Sequence, residues 1–191
     1  MKNLTAANQL TILRMLLIPA FVILLLYGYR GWALITFFTA GITDMLDGLV
    51  ARKAGQKTDL GAWLDPMADK LLLVTMFIVL TLPNIGSANQ LPLWFTILVI
   101  SRDVAIVATA AVINLAVGPR TFRPSIFGKI ATAIYIMTGV VTLYFNYLGQ
   151  ESALVKAFIY ASLALTFISA GHYLVRVFPV GGQKLGSRPG L

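Results

Sequence analysis

The sequence contains six stretches of about 20 mostly apolar residues, separated by short segments rich in glycine, proline and charge. A helix needs a run of this length to cross the roughly 30 Å hydrocarbon core of a bilayer. Hydrophobic residues make up 58% of the 191 residues and charged residues 12%, which is too apolar for an ordinary soluble domain. The runs are longer and more uniform than the alternating strands of a membrane barrel. We therefore expect an all-α integral membrane protein.

The apolar runs predict six transmembrane helices. They cover about residues 10–27, 32–50, 62–82, 93–117, 126–148 and 154–178. A short amphipathic helix at the N-terminus is a further possibility. Residues 1–180 form a single membrane domain in this interpretation, and residues 181–191 form a flexible, glycine-rich and basic tail.

The formal net charge of +8 is distributed among the connections between the runs rather than along one basic face. We therefore expect contact with membrane lipids and no nucleic-acid partner. Basic residues cluster near the N-terminus, after the second run, around the connection between the fourth and fifth runs, and in the tail. The opposite side has only Arg30 and Lys156. The positive-inside rule then places both termini in the cytoplasm. The small size favours a bacterial inner membrane, with the connection after the second run facing the cytoplasm.

The acidic residues are concentrated in one part of the chain. Five of the seven lie between residues 44 and 69. Asp44 and Asp47 share one face of the second helix because they are three residues apart, and Asp65 and Asp69 share one face of the third because they are four apart. The short connection makes these helices antiparallel neighbours, so the two acidic faces can meet. Intramembrane carboxylates mark a functional site by default.

Four carboxylates held close together would repel one another unless a cation lay between them. Oxygen ligands select hard divalent ions, and the chain has no cysteine and a single histidine. We expect one or two hard cations at this site, and such ions are suited to binding a diphosphate. Gly48 and Ala51 leave a bare helix surface for a ligand, Gly61 permits close backbone approach, and Arg52 can reach a phosphate oxygen. The alternative is a multi-pass cation transporter that uses the acids as its ion site.

The stretch Asp44-x2-Asp47-Gly48-x2-Ala51-Arg52-x8-Gly61-x3-Asp65-x3-Asp69 resembles the signature of the CDP-alcohol phosphotransferases, also called CDP-alcohol phosphatidyltransferases. The six-run hydropathy pattern resembles the family as well. The resemblance implies an enzyme that transfers the phosphoalcohol part of a CDP-linked donor to a hydroxyl and releases CMP. It also implies two divalent ions, Mg²⁺ or Mn²⁺, and a homodimer.

By matching positions, Asp44, Asp47 and Asp65 are expected to bind the metal ions. Asp69 is expected to act as the general base and also to touch a metal. The donor nucleotide and phosphates would lie against Gly48, Ala51, Arg52 and Gly61. The element Asn8-x2-Thr11-x2-Arg14 resembles a second family motif that helps to bind the cytidine end, although Ala7 replaces its usual proline. We therefore expect Asn8 and Thr11 to contact the donor.

A fully embedded enzyme is expected to use a lipid donor, CDP-diacylglycerol. The signature also allows a soluble CDP-alcohol that acts on a lipid acceptor. Arg102 interrupts the fourth apolar run, and with Arg120, Arg123 and Lys129 it could bind a phosphate-bearing acceptor. The alternative for Arg102 is a pair with Asp103 that is satisfied by other helices. The alternative for the other three cations is that they only set the membrane topology. Glycerol 3-phosphate and phosphatidylglycerol are both such acceptors. The elements Ser101-Arg102-Asp103-Val104 and Pro124-Ser125-x2-Gly128-Lys129-x2-Thr132-Ala133 resemble cardiolipin synthases of the CDP-diacylglycerol-using type and also phosphatidylglycerophosphate synthases. Aspartate at position 103, where glutamate is expected in the latter, slightly favours the former.

Overall fold

The computed structural model of the chain describes residues 6–54, 59–117 and 126–177. The backbone of these residues contains six α-helices and no β-strand. The helices are α1 (Ala6–Leu26), α2 (Arg30–Ala54), α3 (Asp59–Thr81), α4 (Leu93–Val117), α5 (Ile126–Leu148) and α6 (Ala153–Val177), with a 3₁₀ turn at Pro83–Ile85 before α4. The all-α prediction is confirmed for this part of the chain. The predicted tail and any helix before Ala6 lie outside it.

The helix bounds follow the apolar runs closely, with α4 and α5 as predicted. Three helices extend beyond their apolar runs, because backbone hydrogen bonding continues into polar sequence. Helix α1 begins at Ala6 rather than residue 10, and α2 continues to Ala54 rather than residue 50. Helix α3 begins at Asp59, so Gly61 lies in its first turn instead of opening it.

Helices α1 and α2 form an antiparallel pair with the most extensive contact in the described structure. Their connection is a tight turn in which Gly28 adopts a φ of 79°, a left-handed conformation that favours glycine. The amide of Tyr29 donates to the carbonyl of Leu24 at 2.8 Å, which closes the end of α1. Helix α1 also contacts α3, and α5 contacts α2, α3 and α6.

Aromatic and aliphatic side chains fill the space between these helices. Phe21 of α1 and Phe37 of α2 have ring centroids 5.7 Å apart, and Phe77 of α3 packs edge-on against Phe95 of α4 and Tyr135 of α5. All five side chains are at most 4% exposed. Edge-to-face packing of this kind adds to the free energy gained from burial.

Pairs of hydroxyl groups join neighbouring helices inside the bundle. Thr81 of α3 and Thr96 of α4 have oxygens 2.6 Å apart. Helices α5 and α6 share two such pairs, Tyr135 with Thr166 at 2.6 Å and Thr138 with Ser162 at 2.8 Å. Hydrogen bonds between side chains of this type hold helices together in apolar surroundings, where lipid offers no competing partner.

The outer surface of the bundle is strongly apolar. Each described helix exposes large hydrophobic side chains, among them Leu16, Ile35, Ile78, Val112, Met137 and Phe167. Water would make such a surface costly, whereas lipid covers it without penalty. Three stretches of the described helices, Gln9–Leu26, Gly128–Leu148 and Ala153–Gly171, are long and apolar enough to span a membrane. The chain is therefore a membrane protein with at least three candidate spans.

An asparagine pair organises one end of the bundle. The backbone and side-chain amides of Asn89 both donate to Asn146 Oδ1, at 2.7 and 3.2 Å, and Asn146 Nδ2 donates to the Asn89 carbonyl at 2.9 Å. The amide of Ser152 donates to Asn89 Oδ1 at 2.9 Å. These bonds join the α3–α4 connection to the α5–α6 turn. We call this the far end; the acid-bearing end is the opposite one, where α1 begins and α2 ends.

Gly139 of α5 permits its close approach to α3. A methyl group at this position would overlap Sδ and Cε of Met76, which is fully buried. Gly139→Ala is expected to destabilise the protein by about 1–3 kcal/mol through overpacking. The double variant with Met76→Ala should lose less stability than the sum of the two single variants, because the added methyl group then occupies part of the space that Met76 leaves. Melting temperatures in detergent test this, with Gly41→Ala as the matched control because a methyl there meets nothing within 4 Å. Equal melting temperatures for the two alanine variants would contradict the packing argument.

Candidate active site

An ion pair joins α1 to α2 near the acid-bearing end. Nη1 of Arg14 lies 2.9 Å from Oδ1 of Asp44; the Arg14 side chain is fully buried and that of Asp44 is 44% exposed. Thr11, one turn earlier on α1, is also fully buried. The predicted donor-binding residue Thr11 and the predicted metal ligand Asp44 therefore lie in the same part of the bundle. Arg14 orients the Asp44 carboxylate through this ion pair while leaving it accessible.

The backbone of the two acid-bearing helices supports the predicted spacing. Helix α2 is unbroken from Asp44 to Ala54, and α3 is helical from Asp59 through Asp69. Asp44 and Asp47 therefore share one helix face, as do Asp65 and Asp69. Of the predicted residues of this site, the structure describes the side chains of Thr11 and Asp44. It does not describe those of the others, which are Asn8, Asp47, Gly48, Ala51, Arg52, Gly61, Asp65 and Asp69. Their contacts, and the meeting of the two acidic faces, stay predictions.

The predicted metal ligands suit hard divalent cations. The predicted ligands are all carboxylates, which Mg²⁺ and Mn²⁺ prefer. We call Asp44, Asp47, Asp65 and Asp69 the acid group. Among the described side chains no cluster of three or more potential metal ligands is present, since Asp44 is the one member of the acid group whose side chain is described. Asp44 itself fits the role because Arg14 orients it and its side chain is 44% exposed.

A second polar cluster joins α3, α4 and α6. Nη1 of Arg102 lies 2.9 Å from Oδ1 of Asp103, and Nη2 donates to Ser169 Oγ at 3.0 Å. Lys70, which follows Asp69 on α3, places Nζ 3.7 Å from Oδ2 of Asp103. Asp103 thus bridges two cations and connects the predicted acceptor-binding Arg102 to the segment that carries the predicted base. Arg102 is 11% exposed, and Nε has no hydrogen-bond partner among the described residues.

The sequence interpretation identified Arg102 but missed Lys70 and Ser169 as its neighbours. Lys70 could have been noticed because it adjoins Asp69, whereas nothing local connects Ser169 to a residue 67 positions away. Lys129 is exposed near the start of α5, at the acid-bearing end. Arg120 and Arg123 lie outside the described residues.

Comparison with known proteins identifies the family. Residues 4–168 match the model of the family described as CDP-alcohol phosphatidyltransferase. The chain is 34% identical over 189 residues to a probable phosphatidylglycerophosphate synthase of Mycobacterium tuberculosis, covering 93% of this chain and 84% of the relative. It is 35% identical over 165 residues to a CDP-diacylglycerol–glycerol-3-phosphate 3-phosphatidyltransferase of Haemophilus influenzae, covering 82% of this chain and 85% of the relative.

A third relative is named for a different activity. A cardiolipin synthase (CMP-forming) of Rattus norvegicus is 34% identical over 162 residues, covering 75% of this chain and 52% of the relative. The matched region of the family model includes the entire acid group. The chain therefore belongs to the CDP-alcohol phosphatidyltransferase family and is a transferase of phospholipid biosynthesis. Membership favours this interpretation over a cation transporter.

The ion pair between Arg14 and Asp44 yields a prediction about transferase activity. Arg14→Gln removes the buried guanidinium that orients Asp44, so activity should fall about tenfold or more. Arg14→Lys keeps the charge without the planar guanidinium and should give an intermediate value. Initial rates in detergent, with melting temperatures to verify folding, make the comparison. Wild-type rates in a folded Arg14→Gln variant would show that the pair has no role in catalysis.

Proposed function

We propose that the protein transfers the phosphatidyl group of CDP-diacylglycerol to a hydroxyl of glycerol 3-phosphate and releases CMP. The observation that carries the proposal is the unbroken helical presentation of the acid signature, with Asp44 held by buried Arg14. The choice of acceptor is supported by the two relatives that match most of their own length, one of which is named for glycerol 3-phosphate.

The predicted residues have different roles in one phosphoryl transfer. Asp69 accepts the proton of the acceptor hydroxyl as its oxygen attacks the phosphorus that bears the diacylglycerol. The bond from that phosphorus to the bridging oxygen breaks, and CMP leaves with the electron pair. Asp44, Asp47, Asp65 and Asp69 would hold two divalent ions, Mg²⁺ or Mn²⁺, which neutralise the diphosphate when bound. Asn8, Thr11, Gly48, Ala51, Arg52 and Gly61 would hold the donor nucleotide and phosphates.

The acceptor phosphate is assigned to Arg102, with Arg120, Arg123 and Lys129 as further cations. Arg102 is suited to this because Arg102 and Lys70 share the single carboxylate of Asp103. The three side chains together therefore keep a net positive charge. Phosphatidylglycerol is a second candidate acceptor, supported by aspartate at position 103 and by the likeness to a cardiolipin synthase. Both candidates carry the phosphate that a guanidinium recognises.

The same proposal extends to the membrane arrangement. All six helices would cross the bilayer, since helices of 21 to 25 residues are about 31–38 Å long at 1.5 Å per residue. The basic connections would place the acid-bearing end and both termini in the cytoplasm of a bacterial inner membrane. The family resemblance further suggests a homodimer.

The reaction can be tested by following CMP release from CDP-diacylglycerol. Glycerol 3-phosphate should support release in the presence of Mg²⁺ or Mn²⁺, whereas inositol phosphate and serine should not. Removal of the divalent ions with a chelator should abolish the reaction, and Asp69→Asn should lower it by at least 100-fold because the base is lost. Release that requires phosphatidylglycerol instead would select the second acceptor. Release that is independent of metal or of Asp69 would overturn the mechanism.

The assignment of Arg102 predicts a separable kinetic effect. Arg102→Gln should raise the KM for glycerol 3-phosphate about tenfold or more and leave the KM for CDP-diacylglycerol nearly unchanged. Ser169→Ala is the matched control, because it removes the link from α4 to α6 while the cation remains. An equal KM increase in both variants would assign Arg102 a structural role instead of acceptor binding.

A further inference from the structure

A groove lies at the far end of the bundle, away from the acid group. It has a volume of about 510 Å³ and is formed by the α1–α2 turn, the first turns of α2 and the end of α5. Its lining includes Tyr29, Arg30, Trp32, Ile35 and Tyr147. Arg30 precedes Asp44 by 14 residues on α2, a separation of about 21 Å along the helix. The groove is therefore distinct from the candidate active site.

Arg30 brings an uncompensated positive charge to this groove. Its guanidinium donates to two neutral acceptors, the carbonyl oxygens of Gly86 and Asn146. Among the described residues no carboxylate lies within ion-pair distance of Arg30, and its buried Nε has no hydrogen-bond partner. A guanidinium has five N–H donors, so contacts with two carbonyl oxygens leave donors available.

The walls of the groove are rigidly placed by the turn and the asparagine pair. The Tyr147 ring lies so close to Gly31 that a methyl group there would be 3.0 Å from Cε2. Asn146, whose carbonyl accepts from Arg30, is itself fixed by Asn89. Arg30 is thus held in a preformed position rather than extended into solvent, which lowers the entropic cost of binding a ligand.

The aromatic residues indicate what kind of anion would bind. Tyr29, Trp32 and Tyr147 are 60%, 64% and 55% exposed, and Ile35, one turn further along α2, is 55% exposed. Tyrosine and tryptophan occupy the boundary between headgroups and hydrocarbon. A phosphate at Arg30 would place an attached acyl chain along Trp32 and Ile35, towards the middle of the bundle. A soluble anion would leave this apolar wall uncovered.

We infer that the far-end groove binds one anionic phospholipid, with its phosphate at Arg30 and an acyl chain along Trp32 and Ile35. Charge complementarity selects a headgroup with net negative charge over a zwitterionic one, whose own cation already compensates its phosphate. This site lies on the membrane face opposite the acid-bearing end and takes no part in the transfer reaction.

The test measures lipid binding by native mass spectrometry of the purified full chain. The probe is dioleoyl phosphatidic acid, which has no alcohol headgroup to act as an acceptor, with dioleoyl phosphatidylcholine as the neutral comparison. Arg30→Gln should weaken phosphatidic acid binding at one site about tenfold. Lys156→Gln makes the same charge change near the far end and should bind like the wild type. Both variants should keep wild-type CMP release in detergent, which verifies folding.

Arg30→Lys distinguishes a ligand site from a structural role. Lysine cannot reproduce the guanidinium contacts with both carbonyls, but it retains the positive charge. Because the inference assigns lipid binding to that charge, binding should stay within about threefold of the wild type. Loss of binding in Arg30→Lys equal to that in Arg30→Gln would overturn the inference. Equal binding of phosphatidylcholine, equal weakening by Lys156→Gln, or complete competition by inorganic phosphate would also overturn it.

Discussion

The buried guanidinium of Arg14 against the carboxylate of Asp44 is the interaction on which the acid-bearing end depends. An arginine removed from water needs a counter-charge, and the ion pair joins the first half of α1 to the second half of α2. The same contact orients one carboxylate that is still partly exposed. The pair that joins two helices would therefore also position a ligand for the proposed cations.

The two ends of the bundle serve different purposes. The far end is closed by uncharged hydrogen bonds centred on Asn89 and Asn146, which leave Arg30 as a fixed cation beside aromatic residues. Towards the other end, charged side chains from several helices meet, with Asp103 bridging Arg102 and Lys70. Hydroxyl pairs between helices hold the apolar middle together. This division allows a stable membrane scaffold to carry a concentrated group of charges at one side.

The sequence predicted the helices well because each apolar run is long and bounded by glycine, proline or charge. Helices α4 and α5 were predicted to the residue, whereas α2 and α3 extend further because helical hydrogen bonding does not require an apolar side chain. The pairing of Asp44 with Arg14 and of Asp103 with Lys70 could not be predicted, since both join residues from separate helices. Spacing within one helix reveals a shared face, but only packing reveals which face it meets.

We propose that Asp44, Asp47, Asp65 and Asp69 hold a pair of divalent ions for the donor diphosphate. Electron paramagnetic resonance of the purified protein with Mn²⁺ and CDP-diacylglycerol can detect such a pair. We expect two bound Mn²⁺ per chain, coupled to each other at a separation of about 4 Å. Asp65→Asn should abolish the coupled signal, and Asp103→Asn should retain it. Binding of a single uncoupled ion, or a coupled signal that persists in Asp65→Asn, would contradict the claim.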